Sequence, residues 1–164
     1  MNIYQPLYFW LHPAVPEWLM LSLLAVVVVL VVICSIIDIR SMIIPNFITY
    51  PLGAVLLVAA PFLWNDWGAH LLAGLICAVI FFALSFVTIR GQYAMGVGDA
   101  KLYAIAGLLL GLGVLPGIII ATLSGTIIGL IQLRGQLDRH LPHGPHIAFG
   151  IIVMIIVGIV GWLG

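Results

Sequence analysis

The chain has 164 residues, of which 65% are hydrophobic and only 6% charged, and its five Lys and Arg residues balance its five Asp and Glu residues. Soluble domains carry about a quarter charged residues, so this composition lies outside the soluble globular class. Zero net charge excludes a nucleic-acid-binding protein that works through a basic surface, and the high hydrophobicity excludes a disordered chain. The apolar runs are continuous rather than alternating, which indicates membrane-spanning helices and not a barrel.

Five apolar runs follow a lead-in, residues 1–17, whose prolines and aromatic residues predict an interfacial segment. At about 1.5 Å per residue the fourth run would be a rod of about 48 Å, which exceeds a hydrocarbon core of about 30 Å. Residues 111–117, which contain three glycines and a proline, are therefore predicted to fold this run into two spans. The runs cover residues 18–37, 47–64, 69–89, 102–133 and 147–163.

The positions of the basic residues support six spans. With six spans all of them fall on one side, which the positive-inside rule makes the cytoplasmic side, whereas a single crossing by residues 102–133 would divide them. The sequence therefore predicts one all-α domain over residues 1–164, a polytopic membrane bundle of about six transmembrane helices. The basic residues are Arg40, Arg90, Lys101, Arg134 and Arg139, and a belt at the outer boundary is expected from Trp10, Trp18, Trp64, Trp67 and Trp162.

Two carboxylates are placed where six spans bring them to the same face of the membrane. Asp38 closes the first predicted span, and Asp99 precedes the fourth, directly after Gly96-Val97-Gly98. Ionisable residues near a membrane span are functional candidates, and two neighbouring carboxyls share a proton and titrate as a pair. One of them would act as base on a water molecule while the other polarises a carbonyl, which is the minimum equipment for hydrolysis of a peptide without a metal.

The same residues also have structural interpretations. Asp99 would make a good N-cap for the next helix, and Asp38 with Arg40 would form an interfacial ion pair that merely ends a span. Gly96 and Gly98 permit close approach of an extended peptide backbone, but they equally suit a flexible turn.

Three histidines near the last run, His140, His143 and His146, raise the question of a metal site. Pro142 and Pro145 break the helix that would align their rings, so a rigid Pro-Gly-Pro loop is the simpler interpretation. The sequence predicts no metal and no cofactor, and it leaves any role of these histidines open.

Three segments together resemble the type IV prepilin peptidases, a family of membrane aspartic proteases of bacteria and archaea. Residues 38–46 match the family's first aspartate with its downstream apolar residue, Pro and Asn. Residues 96–101 match its GxGD motif, which a Lys follows two positions on. Residues 142–150 match its late Pro-x-Gly-Pro-x-x-Ala-x-Gly segment, with His143 where an aromatic residue is commoner.

The resemblance implies that Asp38 and Asp99 are the catalytic pair. The implied reaction is removal of the short basic leader from prepilins or pseudopilins, at the cytoplasmic face of the cytoplasmic membrane. Longer family members carry paired CxxC motifs and also methylate the new N-terminus; this sequence has no CxxC, so it resembles the peptidase-only form without a methyltransferase domain. Supporting or substrate-binding roles are implied for Pro45, Asn46, Gly96, Gly98, Lys101, Gly144 and Pro145.

Two other functions compete with this interpretation. Presenilin-like intramembrane proteases share the GxGD motif, but their Tyr-Asp and Pro-Ala-Leu segments are absent from this sequence. A non-catalytic subunit for pilus assembly, secretion or transport would use Asp38 and Asp99 only as ion-pair partners of Arg40 and Lys101. Which aspartate activates water, the identity of the pilin and the oligomeric state stay open.

Overall fold

The computed structural model describes residues 13–89, 92–93, 95–133 and 142–163, and this part of the chain forms a bundle of six α-helices. A two-stranded antiparallel ribbon lies between the third and fourth helices. The predicted all-α membrane bundle is confirmed. The elements are α1 (Glu17–Ser41), α2 (Asn46–Leu63), α3 (Trp67–Leu84), β1 (Thr88–Ile89), β2 (Gln92–Tyr93), α4 (Val97–Leu110), α5 (Val114–Leu133) and α6 (Gly144–Leu163).

Some sequence predictions concern positions outside the described residues. They are those for most of the lead-in 1–17, for Trp10, Arg90, Arg134, Arg139 and His140, and for the side chain of Trp162.

Five stretches of the described chain are long and apolar enough to cross a membrane, where the sequence predicts about six. The difference lies in Val97–Ile131, a stretch of 35 residues that contains α4, a 3₁₀ turn at Gly111–Gly113 and all but the last two residues of α5. The chain reverses at this turn, as shown by Tyr103 of α4 and Ile118 of α5, which line the same small cavity. A straight helix would hold these two residues about 22 Å apart. The reversal predicted within residues 111–117 is therefore present, and its first residue has a φ of 54°.

Two helices end at other positions than the predicted spans. α1 continues to Ser41, three residues beyond Asp38. Its C-cap is Met42, which has a left-handed backbone (φ 55°) and whose N–H donates to the Asp38 carbonyl at 2.8 Å. α3 ends at Leu84 rather than at residue 89, because the β-branched residues that follow form the first strand of the ribbon.

Small residues bring neighbouring helices into close contact, as is common in membrane bundles. A Cβ on Gly107 of α4 would lie 2.7 Å from the Ala73 carbonyl oxygen of α3. Between α5 and α6, a Cβ on Gly150 would overlap the carbonyl oxygen of Gly117. α4 is the central helix, since ten of its 14 residues are buried, whereas the other helices expose large apolar side chains that suit lipid.

The bundle has two distinct ends, named here for their buried side chains. At the aspartate end, the last turn of α1 meets the first turns of α2, α4 and α6, and its defining residues are Asp38, Asn46, Asp99 and Gly144. At the histidine end, the connection from α2 to α3 meets the turn from α4 to α5, and its defining residues are Trp64, Asp66, His70 and Gly111.

Candidate active site

Asp38 lies in the last turn of α1 with only 5% of its surface exposed. Its Oδ2 accepts a hydrogen bond of 2.9 Å from the backbone N–H of Gly144, the first residue of α6. The first amides of a helix lack partners inside the helix and carry the positive end of its dipole, so they stabilise a negative charge. The fold thus brings a distant helix start to this carboxyl.

Asp99 lies in the first turn of α4 and is 7% exposed. Its Oδ2 accepts a hydrogen bond of 3.3 Å from the backbone N–H of Gly96, the N-cap residue of α4. The alternative that Asp99 is itself the N-cap is wrong, because α4 begins at Val97 and the Asp99 carboxyl reaches back to the cap. Each aspartate is therefore held by one glycine amide.

The structure brings the two predicted aspartates to the same end of the bundle. The Asp99 carboxyl interacts electrostatically with Asp38 and with the exposed His143 that precedes α6. In the part of the chain that the structure describes, Asp38 forms no ion pair with Arg40, and Asp99 forms none with Lys101. Among the same residues neither Asp38 Oδ1 nor Asp99 Oδ1 accepts a hydrogen bond. Each carboxyl therefore has one hydrogen-bonded oxygen, Oδ2, and one oxygen that is open in the sense that no described residue donates to it.

Two glycines let the backbone lie directly against this site. A Cβ on Gly144 would lie 2.8 Å from Asp38 Oδ2, and a Cβ on Gly98 would lie 2.8 Å from the Cβ of Ile44. Ile44 and Pro45 are buried, so the short connection between α1 and α2 packs onto the start of α4. Larger residues at either glycine would separate the elements that carry the two aspartates.

Lys101 links the first turns of α4 and α2. Its Nζ donates to Asn46 Oδ1 at 2.6 Å and lies 4.6 Å from the centroid of the Tyr50 ring. Within the described part of the chain, the Lys101 ammonium group therefore contacts Asn46 and Tyr50 and forms no ion pair with Asp99. Lys101 and Asn46, two of the residues expected to support the site, are thus in direct contact.

The start of α6 directs a single backbone donor at Asp38. Pro145 has no N–H, and the N–H of His146 donates to the His143 carbonyl at 3.0 Å, so the Gly144 N–H is the one that reaches the carboxyl. The His146 ring lies between α5 and α6, with Nδ1 3.3 Å from the Ser124 hydroxyl oxygen. No group of three side chains suited to a metal ion occurs among the described residues.

Three residues near the site escaped the sequence analysis. Ser35 lies one turn before Asp38 on α1, and its hydroxyl donates to the Val31 carbonyl at 2.9 Å and lies 3.5 Å from the Gly144 carbonyl oxygen. Ser35 and Asp38 are three residues apart, so the sequence alone would place them on the same face of a helix. Ile44 and Ser124, in contrast, become recognisable only once their partners across the bundle are known.

These features define an integral membrane protein whose described residues form six helices with a pair of buried carboxyls at one end. A profile of the type IV leader peptidase family matches residues 25–133, and the chain belongs to this family. A prepilin leader peptidase/N-methyltransferase of Pectobacterium carotovorum subsp. carotovorum is 33% identical over 150 residues, which are 86% of this chain and 51% of that protein. The chain thus spans about half the length of this relative. No solved structure matches the chain significantly.

Proposed function

We propose that this protein is an aspartic endopeptidase that removes the short basic leader from type IV prepilins or pseudopilins. Membership of the type IV leader peptidase family supports the class of substrate. The observation that carries the mechanism is the pair of buried carboxyls, each held by one glycine amide and open at its other oxygen.

In the proposed reaction, a water molecule lies between Asp38 and Asp99, which share one proton. The ionised aspartate takes a proton from the water as its oxygen attacks the scissile carbonyl carbon, and the protonated aspartate donates to the carbonyl oxygen. As the tetrahedral intermediate collapses, the aspartate that took the water proton gives it to the leaving amine, the carbon–nitrogen bond breaks, and the other aspartate takes back a proton from a hydroxyl of the intermediate, so the pair again shares one proton. The Gly96 and Gly144 amides keep the two carboxyls in place throughout this cycle.

The aspartate end would face the cytoplasm of a bacterial or archaeal cell. Arg40 and Lys101 lie at this end, whereas Glu17 and Asp66 lie at the other end of the helices that carry them. Positive residues are retained on the cytoplasmic side of a membrane, so this distribution supports the proposed orientation. A basic leader approaching from the cytoplasm would then meet two carboxyls.

Asparagine substitutions at the aspartates test the mechanism with little change in shape. The purified chain in proteoliposomes is expected to cleave a prepilin after its leader, and Asp38→Asn and Asp99→Asn are each expected to lower kcat by about 1,000-fold or more, because each removes one proton-transfer group. Asp66→Asn is the matched control at the histidine end and is expected to retain the activity. Thermal unfolding verifies that every variant is folded, and mass spectrometry locates the cleaved bond.

A near wild-type rate in either active-site variant would refute the paired-acid mechanism. A cut inside the hydrophobic segment would instead favour a presenilin-like protease. No cleavage by the wild-type chain would favour a non-catalytic subunit, a role that already lacks the ion pairs expected for it.

We expect this chain to perform no methyl transfer. Its two cysteines, Cys34 and Cys77, form no CxxC motif, which the longer form would require by resemblance. Incubation of the purified chain with processed substrate and a radiolabelled methyl donor should give no labelled product. Incorporation above that of a protein-free control would contradict the expectation.

A further inference from the structure

The first turn of α6 is attached to the bundle on two opposite sides. On the side of α1, the Gly144 N–H donates to Asp38 Oδ2 at 2.9 Å. On the side of α5, the His146 ring lies 3.3 Å from the Ser124 hydroxyl oxygen. The two attachments are only two residues apart, so a displacement at one is transmitted to the other through the rigid start of a helix.

The Ser124 hydroxyl has two partners at the contact with α5. Its oxygen lies 3.0 Å from the Ala121 carbonyl oxygen and 3.3 Å from His146 Nδ1, so it can donate to the carbonyl while it accepts from Nδ1–H, or donate to Nδ1 in the other tautomer. The ring packs on Gly125, where a Cβ would lie 3.4 Å from its Cδ2. A histidine that neither the proposed reaction nor a metal requires therefore has a specific partner on the neighbouring helix.

This contact matters because Asp38 depends on one backbone donor. Pro145 offers no amide, and the His146 amide is used by the His143 carbonyl at 3.0 Å. A shift of α6 by about 1 Å would lengthen the bond from Gly144 beyond hydrogen-bonding distance, with no second amide to replace it.

We propose that His146 is a positioning residue: its contact with Ser124 holds the start of α6 on α5, and this keeps the Gly144 amide on the Asp38 carboxyl. The proposal rests on the proposed peptidase function for its effect on turnover. Its structural part concerns the Gly144 amide alone and is measured without any substrate.

The sequence allows the Gly144 amide to be observed selectively by NMR. His143–Gly144 is the only His-Gly pair in the chain, and Met95–Gly96 is the only Met-Gly pair. Protein labelled with ¹³C-carbonyl histidine and ¹⁵N-glycine therefore gives one filtered NMR signal, from Gly144. The methionine equivalent gives one signal from Gly96, which reports on the Asp99 side of the site and acts as the internal control.

Four variants of the full chain test the contact. His146→Leu removes the ring nitrogens, Ser124→Ala removes the hydroxyl, and His146→Asn retains a hydrogen-bonding group in a shorter side chain. Thr126→Val is the matched control, because among the described residues the Thr126 hydroxyl donates to the Thr122 carbonyl of its own helix.

In His146→Leu and in Ser124→Ala, deuterium exchange of the Gly144 amide is expected to accelerate by about 10-fold or more, while exchange of the Gly96 amide stays unchanged. His146→Asn should restore at least part of the protection, and Thr126→Val should resemble the wild type. For cleavage of a prepilin in proteoliposomes, kcat is expected to fall by about 10-fold in the first two variants with KM unchanged.

Unchanged Gly144 exchange in both His146→Leu and Ser124→Ala would overturn the positioning role. Equal acceleration at Gly144 and Gly96 would overturn it as well, because the variants would then loosen the whole bundle. If the wild-type chain cleaves no prepilin while Gly144 exchange still responds to the variants, the proposed function fails and the positioning of Asp38 stands. If His146→Leu does not fold, Ser124→Ala carries the same test.

Discussion

Both ends of the bundle bury ionisable side chains, but they provide for them in different ways. At the histidine end, the fully buried His70 ring stacks on Trp64 with centroids 4.4 Å apart, and its Nδ1 lies 3.1 Å from the Leu108 carbonyl oxygen. Its Nε2 lies 3.7 Å from a carboxylate oxygen of Asp66. At the aspartate end, the two carboxyls each receive one amide donor and retain one oxygen without a hydrogen bond to the described residues.

The comparison distinguishes a buried polar group that stabilises the fold, His70, from two buried carboxyls that are available for a reaction. Leu108 lies in the last turn of α4, where carbonyls lack partners in their own helix, and a donating His70 nitrogen completes that helix end. The aspartates instead keep the capacity to bind a further molecule. We therefore expect changes at the histidine end to affect stability, and changes at the aspartate end to affect activity.

Among variants that leave both aspartates in place, the largest effect is expected from a single methyl group at the aspartate end. Gly144→Ala would place a Cβ 2.8 Å from Asp38 Oδ2 and displace the carboxyl from its amide, so kcat for prepilin cleavage should fall by about 100-fold. Gly68→Ala is the matched control, because a Cβ there meets nothing within 4 Å. Equal activities of the two alanine variants would show that the Gly144 contact is irrelevant to turnover.

At the histidine end, His70→Phe keeps an aromatic ring against Trp64 but removes the donor to the Leu108 carbonyl. Leaving that buried acceptor without its donor should lower the free energy of unfolding by about 1–3 kcal/mol. Thermal unfolding in detergent measures this loss, and kcat per folded molecule should stay within about twofold of the wild type, since the site is at the other end. A large loss of kcat without a loss of stability would contradict the structural role assigned to the histidine end.

A smaller effect is expected from the contact between α4 and α2. Lys101→Met removes the donor to Asn46 and the cation over the Tyr50 ring, both at partly exposed positions, so kcat/KM should fall by about fivefold. Asn46→Ala should have a similar or smaller effect, and the double variant should be little worse than Lys101→Met alone. Fully additive losses would mean that the two side chains act independently.

The sequence was sufficient to predict the spans, the reversal between α4 and α5, and the placement of Asp38 and Asp99 at the same end of the bundle. These follow from hydropathy, from the length of the fourth run and from the few charges, all of which are local properties of the chain. The extension of α1 past Asp38 was not predictable from the same rules, because the charged residue ends the apolar run but not the helix.

The features that the sequence does not predict depend on contacts between helices. The sequence does not single out His70, which lies inside an apolar run: Trp64 and Asp66 are near it in the chain, but its contacts with Leu108 and Gly111 come from the end of α4. The sequence indicates no partner for His146, because its contact with Ser124 depends on how α5 and α6 pack. Gly144 belongs to the family-like segment of residues 142–150, but its donation to Asp38 is a property of the folded bundle alone.

The length of α5 has a consequence for where a substrate must go. Ser124, which is level with the start of α6, lies nine residues before the end of α5, so this helix projects about 13 Å past the aspartates. Its projecting turns expose Ile127, Leu130 and Ile131, which belong in hydrocarbon. Under the proposed function, the carboxyls would lie deeper than the lipid headgroups, and both water and the scissile bond would have to reach them there.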